Sequence, residues 1–363
     1  MMRLAGGLAL VLLALVLSAA GAEAKGRWQQ VENQAGCTVW NPAPEPDETV
    51  TWSGTCQAGK AEGEGKKVWR FLSRGIWRQS TYVGTMRQGK NEGQGVYTWA
   101  DGSRYEGEYK DHVRQGQGVF VQASGDTYRG TWKGDKQHGQ GVKEWANGRT
   151  YEGGWQQGKH SGHGVMVWVN DERYEGDWQF GKRHGRGVFV MEDGERYEGE
   201  WQADKRHGRG VFVMEDGERY EGEWQADKRH GRGTVTWPDG ERYEGGWRLN
   251  RKHGKGVYVW AGGGRYEGGY KDDKRHGRGV RVWKSGKRYE GDFKNGHAHG
   301  PGVQTWPSGN RYEGDFVNGR PHGQGSLLTK KGNRYEGAWT KGCFQQGRRR
   351  AWLGTSKKAC KFD

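Results

Sequence analysis

Residues 173–187 read RYEGDWQFGKRHGRG, and the tyrosine of this segment recurs with a period of 23 residues on either side. Each such tyrosine is followed two residues later by glycine and, in most copies, four residues later by an aromatic residue. The tyrosines stand at 82, 105, 128, 151, 174, 197, 220, 243, 266, 289, 312 and 335. The twelve copies fill 276 of 363 residues. This pattern predicts a repeat architecture in which each unit buries its apolar side against its neighbours.

One repeat predicts two antiparallel strands. Tyr174, Gly176 and Trp178 alternate with charged residues, and this period of two places the aromatic side chains on one face. Residues 185–191, GRGVFVM, alternate in the same way and are expected to form the partner strand after a connection of six residues. Asp193–Gly194 then predicts a turn into the next tyrosine strand, because Asp-Gly is a frequent hairpin corner. The sequence therefore predicts a continuous meander.

The glycines of the repeat are expected to make room for the rings. A glycine opposite or beneath a large ring has no side chain to obstruct it. The expected pairs across the hairpin are Tyr174 with Phe189, Gly176 with Gly187, and Trp178 with Gly185. The 20 tryptophans and 16 tyrosines would then supply the buried area that an aliphatic core supplies in an ordinary domain.

The motif Tyr-Glu-Gly-x-Trp-x-x-Gly-x-x-x-Gly-x-Gly closely resembles the MORN repeat, named for membrane occupation and recognition nexus. The resemblance covers about three quarters of the chain. It implies an all-β fold, an elongated single-layer antiparallel meander of stacked β-hairpins with a 23-residue period. It also implies a scaffold or protein-binding role, and MORN proteins have been linked to anionic phospholipids.

The segments that flank the repeats have a different composition. Residues 1–24 resemble a secretory signal peptide, with Arg3 before an apolar run, so we expect an exported protein of bacterial type, periplasmic or secreted. Residues 25–81 are expected to form an N-terminal cap with a degenerate repeat, and residues 82–340 the repeat array. Residues 341–363 are expected to form a C-terminal cap, because the terminal units of a solenoid must close an open edge.

All four cysteines lie in the predicted caps. In an exported chain they favour disulfides, and four cysteines allow three connectivities. The local pairing, Cys37 with Cys56 and Cys343 with Cys360, is the simplest, and each loop contributes about 3 kcal/mol in the chain-entropy model. In the degenerate repeat, Trp52 replaces the tyrosine and Cys56 replaces the tryptophan.

The net charge of +15 is distributed unevenly along each repeat. One set of corners is rich in cations, whereas the opposite corners carry Asp-Gly with neighbouring glutamates. The candidate binding residues of this expected basic edge are Lys182, Arg183, Lys205, Arg206, Lys228, Arg229, Arg251, Lys252, Lys274 and Arg275. Further cations follow close behind, at Arg186, Arg209, Arg232, Lys255 and Arg278. Such an edge is either simply solvated or attracts an anionic polymer or surface.

Histidines recur ten residues after the tyrosine in eight repeats, from His138 to His322. Equivalent positions lie about 9.6 Å apart along a sheet, too far for shared zinc ligation, so we expect a role in the turns and no metal or other cofactor. The arginine that precedes the tyrosine in nine units and the glutamate that follows it in ten are expected to form a cross-strand charge ladder. Nothing in these near-identical units singles out a catalytic pocket, so the sequence predicts no enzyme.

Two classes of function remain open. The first is a non-enzymatic interaction scaffold that presents a long repetitive surface to a protein partner or to an anionic envelope surface, such as phospholipid or lipopolysaccharide. The alternative is an array that binds carbohydrate or a cell-wall polymer, because aromatic and glycine hairpin repeats of other families bind glycans. No nucleic acid partner is expected, and a homodimer is left open.

Overall fold

The computed structural model describes residues 26–45 and 47–362. The predicted signal peptide lies outside the described residues. The chain forms two compact units, one that ends at Ala123 and one that begins at Ser124. Both are built almost entirely of β-strands, which confirms the all-β prediction.

The first unit contains nine strands in its described residues. They are β1 (Arg27–Gln30), β2 (Thr38–Asn41), β3 (Thr49–Trp52), β4 (Thr55–Gln57), β5 (Lys60–Ser73), β6 (Ile76–Arg87), β7 (Lys90–Thr98), β8 (Arg104–Lys110) and β9 (Val113–Val121). The long strand β5 pairs antiparallel with β3, β4 and β6, and forms one parallel bridge to β2 between Thr38 and Lys60. From β6 to β9 each strand pairs with the next in a regular meander.

A tryptophan takes the place of the tyrosine near the beginning of the first unit. Trp52 is fully buried, and its indole N–H donates to the backbone carbonyl three residues later at 3.0 Å. A Cβ on Gly54 or Gly65 would overlap its ring. Cys56 forms a disulfide with Cys37, with the Cα atoms 5.8 Å apart, as the local pairing predicts.

The second unit contains 21 strands and one short 3-10 helix in its described residues. The strands are β10 (Thr127–Lys133), β11 (Lys136–Glu144), β12 (Thr150–Gln156), β13 (Lys159–Val167), β14 (Arg173–Gln179), β15 (Lys182–Val190), β16 (Arg196–Gln202), β17 (Lys205–Val213), β18 (Arg219–Gln225), β19 (Lys228–Thr236), β20 (Arg242–Arg248), β21 (Arg251–Val259), β22 (Arg265–Lys271), β23 (Lys274–Val282), β24 (Arg288–Lys294), β25 (His297–Thr305), β26 (Arg311–Val317), β27 (Arg320–Leu328), β28 (Arg334–Thr340), β29 (Cys343–Gln346) and β30 (Arg349–Trp352). Each pairs antiparallel with the next. The helix is Lys358–Cys360, and the predicted Cys343–Cys360 disulfide is confirmed, with a Cα separation of 5.5 Å.

The turn inside each hairpin is shorter than predicted. Between β14 and β15 only Phe180 and Gly181 form the turn, whereas six residues were expected. Their φ angles of 51° and 82° lie in the left-handed region, as type I′ turns require. Residues 182–184 consequently lie in a strand and not at a corner. The predicted turn after β15 is confirmed, because Gly194 has a φ of 85° and its N–H donates to the carbonyl of Met191 at 3.0 Å.

A β-bulge shifts the register once within each regular hairpin. In β14 and β15 the confirmed pairs are Tyr174 with Phe189 and Gly176 with Gly187. Beyond the bulge Trp178 lies opposite Arg183, so the predicted pairing of Trp178 with Gly185 is wrong. Gly185 has a φ of 57° and lies opposite Trp201 in β16. Two residues of β14 correspond to four residues of β15 across the bulge, and the two extra residues in β15 cause this shift.

The repeat tyrosines from Tyr82 to Tyr312 each lie over two glycines. Tyr174 is fully buried, and its hydroxyl donates to the carbonyl oxygen of Asp177 at 3.0 Å. The three atoms that a Cβ on Gly187 would approach most closely all belong to the Tyr174 side chain. A Cβ on Gly176 would overlap the backbone of the facing strand. The predicted role of these glycines is therefore confirmed.

The tryptophan of each repeat joins it to the repeat before. Trp178 packs edge-on against Tyr174 and against Tyr151 of the preceding repeat, with ring centroids 5.1 and 5.5 Å apart. Its indole N–H donates to the carbonyl oxygen of Gly164 in β13 at 3.2 Å. The same bond is made by Trp155, Trp201, Trp224, Trp247 and Trp339. Each edge-on pair contributes about 0.5–1.5 kcal/mol beyond the burial of its rings.

Where arginine and glutamate flank the tyrosine, the two side chains pair within one strand. Arg173 lies 2.6 Å from Glu175, and the equivalent pair recurs in later repeats. The residues opposite Glu175 on the two neighbouring strands are Val165 and Val188. The predicted cross-strand charge ladder is therefore wrong, because valines occupy the facing positions.

Candidate binding face

The strands of the second unit present two chemically different faces. The aromatic face carries the tyrosine and tryptophan rings, such as Tyr174 and Trp178. The opposite face, called here the groove face, carries residues such as Glu175, Arg186 and Val188. A binding function for this unit must use one of these faces or an edge of turns.

The ten predicted binding residues divide between the two faces. Because the strand begins directly after the two-residue turn, its side chains alternate from the first residue onward. Those on the aromatic face, opposite a tryptophan or its equivalent, are Arg183, Arg206, Arg229, Lys252 and Arg275. Those on the groove face are exposed, and they are Lys182, Lys205, Lys228, Arg251 and Lys274.

The cations on the aromatic face pack against rings. The Arg183 guanidinium lies 4.3 Å from the ring centroid of Trp201, and its Nε lies 3.5 Å from Asp204 Oδ1. Only 20% of the Arg183 side chain is exposed. Burial lowers the pKa of Arg183, Lys252 and Arg275. These cations thus stabilise contacts between repeats, as cation–π pairs do.

A second set of exposed cations lies on the groove face, twelve residues after the tyrosine in five consecutive repeats. They are Arg186, Arg209, Arg232, Lys255 and Arg278. Sequence reasoning noted these residues but did not assign them to the candidate site. Together with the exposed set that begins at Lys182, they form what we call the cation rows. Within the part of the chain that the structure describes, none of these ten side chains forms an ion pair.

Two adjoining grooves lie on this face and share Arg232. One has a volume of about 870 Å³ and extends from His163 to Arg232, and the other has about 1050 Å³ and extends from there to Glu290. Glycine backbone forms much of the lining of both. The glutamates of the larger groove are paired as Arg242–Glu244, Arg265–Glu267 and Arg288–Glu290, at 2.7, 2.8 and 2.6 Å. Of the cation rows, Arg232, Lys255 and Arg278 line the larger groove, and none of the three forms an ion pair within the described residues.

The residue three positions after the tyrosine differs between repeats, and this difference alters the chemistry of the groove. In three successive repeats this residue is acidic, and its carboxylate accepts a hydrogen bond from the backbone N–H nine residues later. The pairs are Asp177–Arg186, Glu200–Arg209 and Glu223–Arg232, at 3.1, 3.1 and 3.0 Å. The next two repeats carry Gly246 and Gly269 instead. No side chain in the described residues accepts a hydrogen bond from the backbone N–H of Lys255 or Arg278.

Eleven consecutive segments match the family model of the MORN repeat. They are residues 82–104, 105–127, 128–148, 151–173, 174–196, 197–219, 220–242, 243–265, 266–288, 289–311 and 312–334. The chain is a MORN repeat protein. The family predicted from the tyrosine motif is thus confirmed, although the copy that begins at Tyr335 is not among the matched repeats. MORN repeats are a non-catalytic type of repeat, associated with scaffolds and with membrane or phospholipid binding.

Other comparisons add little to this family assignment. No protein with a curated description matches the MORN repeat chain. Among solved structures it is similar to the E1021V mutant of the TCP10 domain of Danio rerio CPAP, with 12% identity, a TM-score of 0.28, and coverage of 60% of this chain and 90% of that one. The TCP domain of SAS-4 from Drosophila melanogaster, in complex with a proline-rich motif of Ana2, matches with 9% identity and a TM-score of 0.24. This match covers 49% of this chain and 85% of that one. Streptogramin B lyase matches with 12% identity and a TM-score of 0.14, and the match covers 81% of this chain and 88% of that one.

The eight histidines that recur ten residues after the tyrosine of a MORN repeat lie within strands. His184, for example, belongs to β15, so the expected position in a turn is wrong for the same reason as for its basic neighbours. Among the described residues, no group of three or more His, Cys, Asp or Glu side chains is placed to hold a metal ion. The described residues also contain no helix long and apolar enough to span a membrane.

Proposed function

We propose that this MORN repeat protein is a non-enzymatic, exported scaffold whose groove face binds an anionic partner. The two disulfides support export, because such bonds persist in oxidising compartments. The observation that carries the binding function is the pair of cation rows, ten exposed groups without ion-pair partners on one face. A surface that collects one sign of charge raises the local concentration of a ligand of the opposite sign.

The periodicity of the cation rows favours a multivalent partner. Equivalent residues repeat about every 9.6 Å, since each repeat contributes two strands. A Lys or Arg near an anionic surface contributes about 1 kcal/mol, and the attraction decays over about 8 Å at physiological salt. Several contacts together therefore give strong binding that weakens as salt increases.

The test is a charge reversal confined to the groove face. The row variant changes Lys182, Lys205 and Lys228 to glutamate, all of them exposed. It is compared with the parent protein for binding to polyglutamate and for co-sedimentation with anionic and neutral vesicles. Loss of three favourable contacts predicts binding to an anionic probe that is at least about 100-fold weaker.

A second triple variant provides the matched control. It changes the exposed residues Lys284, Lys330 and Lys331 to glutamate, so its net charge equals that of the row variant. We expect it to bind much more tightly than the row variant. Equal affinities of the two variants for every anionic probe would contradict the proposal, as would equal sedimentation with neutral vesicles.

A glycan-binding function is the second candidate, favoured by a row of half-buried tryptophans. The row comprises Trp237, Trp260, Trp283 and Trp306. The Arg281 guanidinium lies 4.4 Å from the Trp283 ring centroid, and Lys287 lies 4.6 Å from the same ring. If the partner is a cell-wall polymer held on these rings, Trp283→Ala weakens its capture from purified envelope material and the row variant does not.

A further inference from the structure

We infer that Gly246 and Gly269 create a binding site for two carboxylates of an acidic polypeptide, in the groove between Arg232 and Glu290. This inference rests on the proposed function, because it names the class of anionic partner and the place where it binds. It follows from a difference between repeats that are otherwise nearly identical.

The preceding repeats show what chemistry suits this position. There a side-chain carboxylate accepts a hydrogen bond from a backbone N–H in the groove, as Asp177 does from Arg186 at 3.1 Å. Glu200 and Glu223 act in the same way in the following two repeats. A hydrogen bond to a charged acceptor is worth about 1.5–3 kcal/mol. The protein thus satisfies this amide with its own carboxylate in three successive repeats.

The next two repeats lack that internal carboxylate. Gly246 and Gly269 have no side chain, so nothing of the protein covers the backbone N–H of Lys255 or Arg278 from that position. Both of these residues also have exposed side chains, and neither forms an ion pair within the described residues. Lys255 and Arg278, one repeat apart, therefore each combine an exposed cation with a backbone amide that no side chain of the described residues accepts a hydrogen bond from.

The electrostatics of the groove change at the same point. In the smaller groove, Asp177, Glu200 and Glu223 offset the cations that follow them. In the larger groove the only lining carboxylates are Glu244, Glu267 and Glu290 among the described residues, and each is paired with an arginine of its own strand. An incoming carboxylate thus meets Lys255 and Arg278 in the larger groove without a carboxylate of the protein bound at their backbone amides, although Asp292 lies opposite Arg278 on the next strand.

The spacing favours a polypeptide as the carrier of the carboxylates. The two sites lie one repeat apart, which is about 9.6 Å along the sheet. A polyproline II chain rises about 3.1 Å per residue with three residues per turn, so acidic residues at i and i+3 face one side about 9.3 Å apart. The groove of about 1050 Å³ lies across the strands and has room for such an extended segment.

The experiment uses the mature protein and fluorescent proline-rich peptides. The probe carries two glutamates three residues apart, one control peptide carries them two residues apart, and a second carries glutamine in place of glutamate. We expect the probe to bind at least tenfold more tightly than either control, as measured by fluorescence anisotropy. Equal binding of the two glutamate peptides would overturn the inferred spacing.

Two protein variants test the site. The double substitution Lys255→Gln and Arg278→Gln should weaken probe binding at least tenfold, whereas Arg186→Gln with Arg209→Gln, whose amides are already bonded to carboxylates, should change it less than threefold. Equal effects of the two variants would overturn the inference, while a salt-sensitive loss in the row variant would leave the proposed function standing.

A third variant restores the internal carboxylate. Gly246→Glu with Gly269→Glu should abolish probe binding. Because a Cβ on Gly246 would overlap the carbonyl oxygen of His253, circular dichroism must first show the native fold, and the glutamine variants remain decisive if it does not. Anionic vesicles and a polyuronate are tested in parallel. If either depends on Lys255 and Arg278 while the peptide does not bind, the partner is not an acidic polypeptide.

Discussion

A methyl group placed under one tyrosine should destabilise one repeat selectively. In Gly187→Ala the new Cβ would occupy the space of the Tyr174 ring, whose atoms are the three nearest to it. The backbone at Gly187 has no left-handed φ, so the cost arises from this contact and not from the backbone. Either the ring is compressed, at about 1–3 kcal/mol, or it leaves its buried position.

Displacement of the ring sets the upper end of the expected cost. Tyr174 is fully buried and donates a hydrogen bond to the carbonyl of Asp177, and removal of a buried aromatic side chain costs about 3–5 kcal/mol. We therefore expect a loss of about 2–4 kcal/mol from the opening free energy of this repeat, intermediate between the two limits. That loss corresponds to amide exchange roughly 30- to 1000-fold faster in β14 and β15.

Hydrogen exchange read by mass spectrometry measures this effect locally, since stability in a repeat array is the sum of neighbouring terms. Gly262→Ala is the matched control, because a Cβ at Gly262 meets no atom within 4 Å and its φ is ordinary. In a Tyr174→Ala background, Gly187→Ala should cost less than about 1 kcal/mol, since the obstructing ring is gone. The reasoning is refuted if the amides of β14 and β15 exchange at the same rate in Gly187→Ala and Gly262→Ala. It is also refuted if Gly187→Ala destabilises the repeat as much in the Tyr174→Ala background as in the parent protein.

Three further changes have defined outcomes. Burial lowers the pKa of Lys67 to about 7, so the unfolded chain binds more protons than the folded chain between about pH 7 and 10.5. The free energy of unfolding should therefore increase as pH is raised through this range. Thermal melts at pH 7 and 9 should show this increase, and Lys67→Met should remove it. Residues 182–204 and 205–227 are identical, and deletion of the second set should leave a cooperative transition in circular dichroism, which its loss would contradict. Phe180 is 70% exposed with a φ of 51°, so Phe180→Asn should stabilise by about 1 kcal/mol in urea unfolding, while Phe180→Val should destabilise.

The alternation of Tyr174 and Gly176 was sufficient to predict the strands, the aromatic face and the roles of the glycines. These features depend on a backbone period of two and on the absence of a glycine side chain, both of which are read directly from the sequence. The pairing of the cysteines was also predictable, because each pair lies close in sequence. Local rules therefore determined most of the fold.

The turn and the bulge were the features that sequence reasoning missed. Counting six connecting residues placed the basic segment at a corner, although Asn295–Gly296 and Asn318–Gly319 at equivalent positions are strong signals of a two-residue type I′ turn. Once the turn is short, Arg183 must face the aromatic side, where it packs on Trp201. The pairing of Arg183 with Trp178 depends on where the bulge shifts the register, and the alternating pattern of a repeat does not show where a bulge occurs.

The distinctive part of the candidate site was also missed, for another reason. The repeats were compared for what they share, and this comparison hides Gly246 and Gly269, which differ from the acidic residues in the preceding three repeats. The signal was present in the sequence, but its meaning required the hydrogen bond between Asp177 and Arg186. A departure from the consensus becomes informative only when the contact made by the consensus residue is known.

The hydrogen bond from Trp178 to the carbonyl of Gly164 gives the array a direction of assembly. Each tryptophan binds a strand that precedes it in the chain, so a hairpin can close on a repeat that has already been synthesised. A chain that crosses a membrane with its N-terminus first could therefore fold stepwise behind the translocation pore. The last tryptophan of this kind, Trp339, has its own partner in Gly325, so no hairpin would have to wait for the C-terminus before it docks.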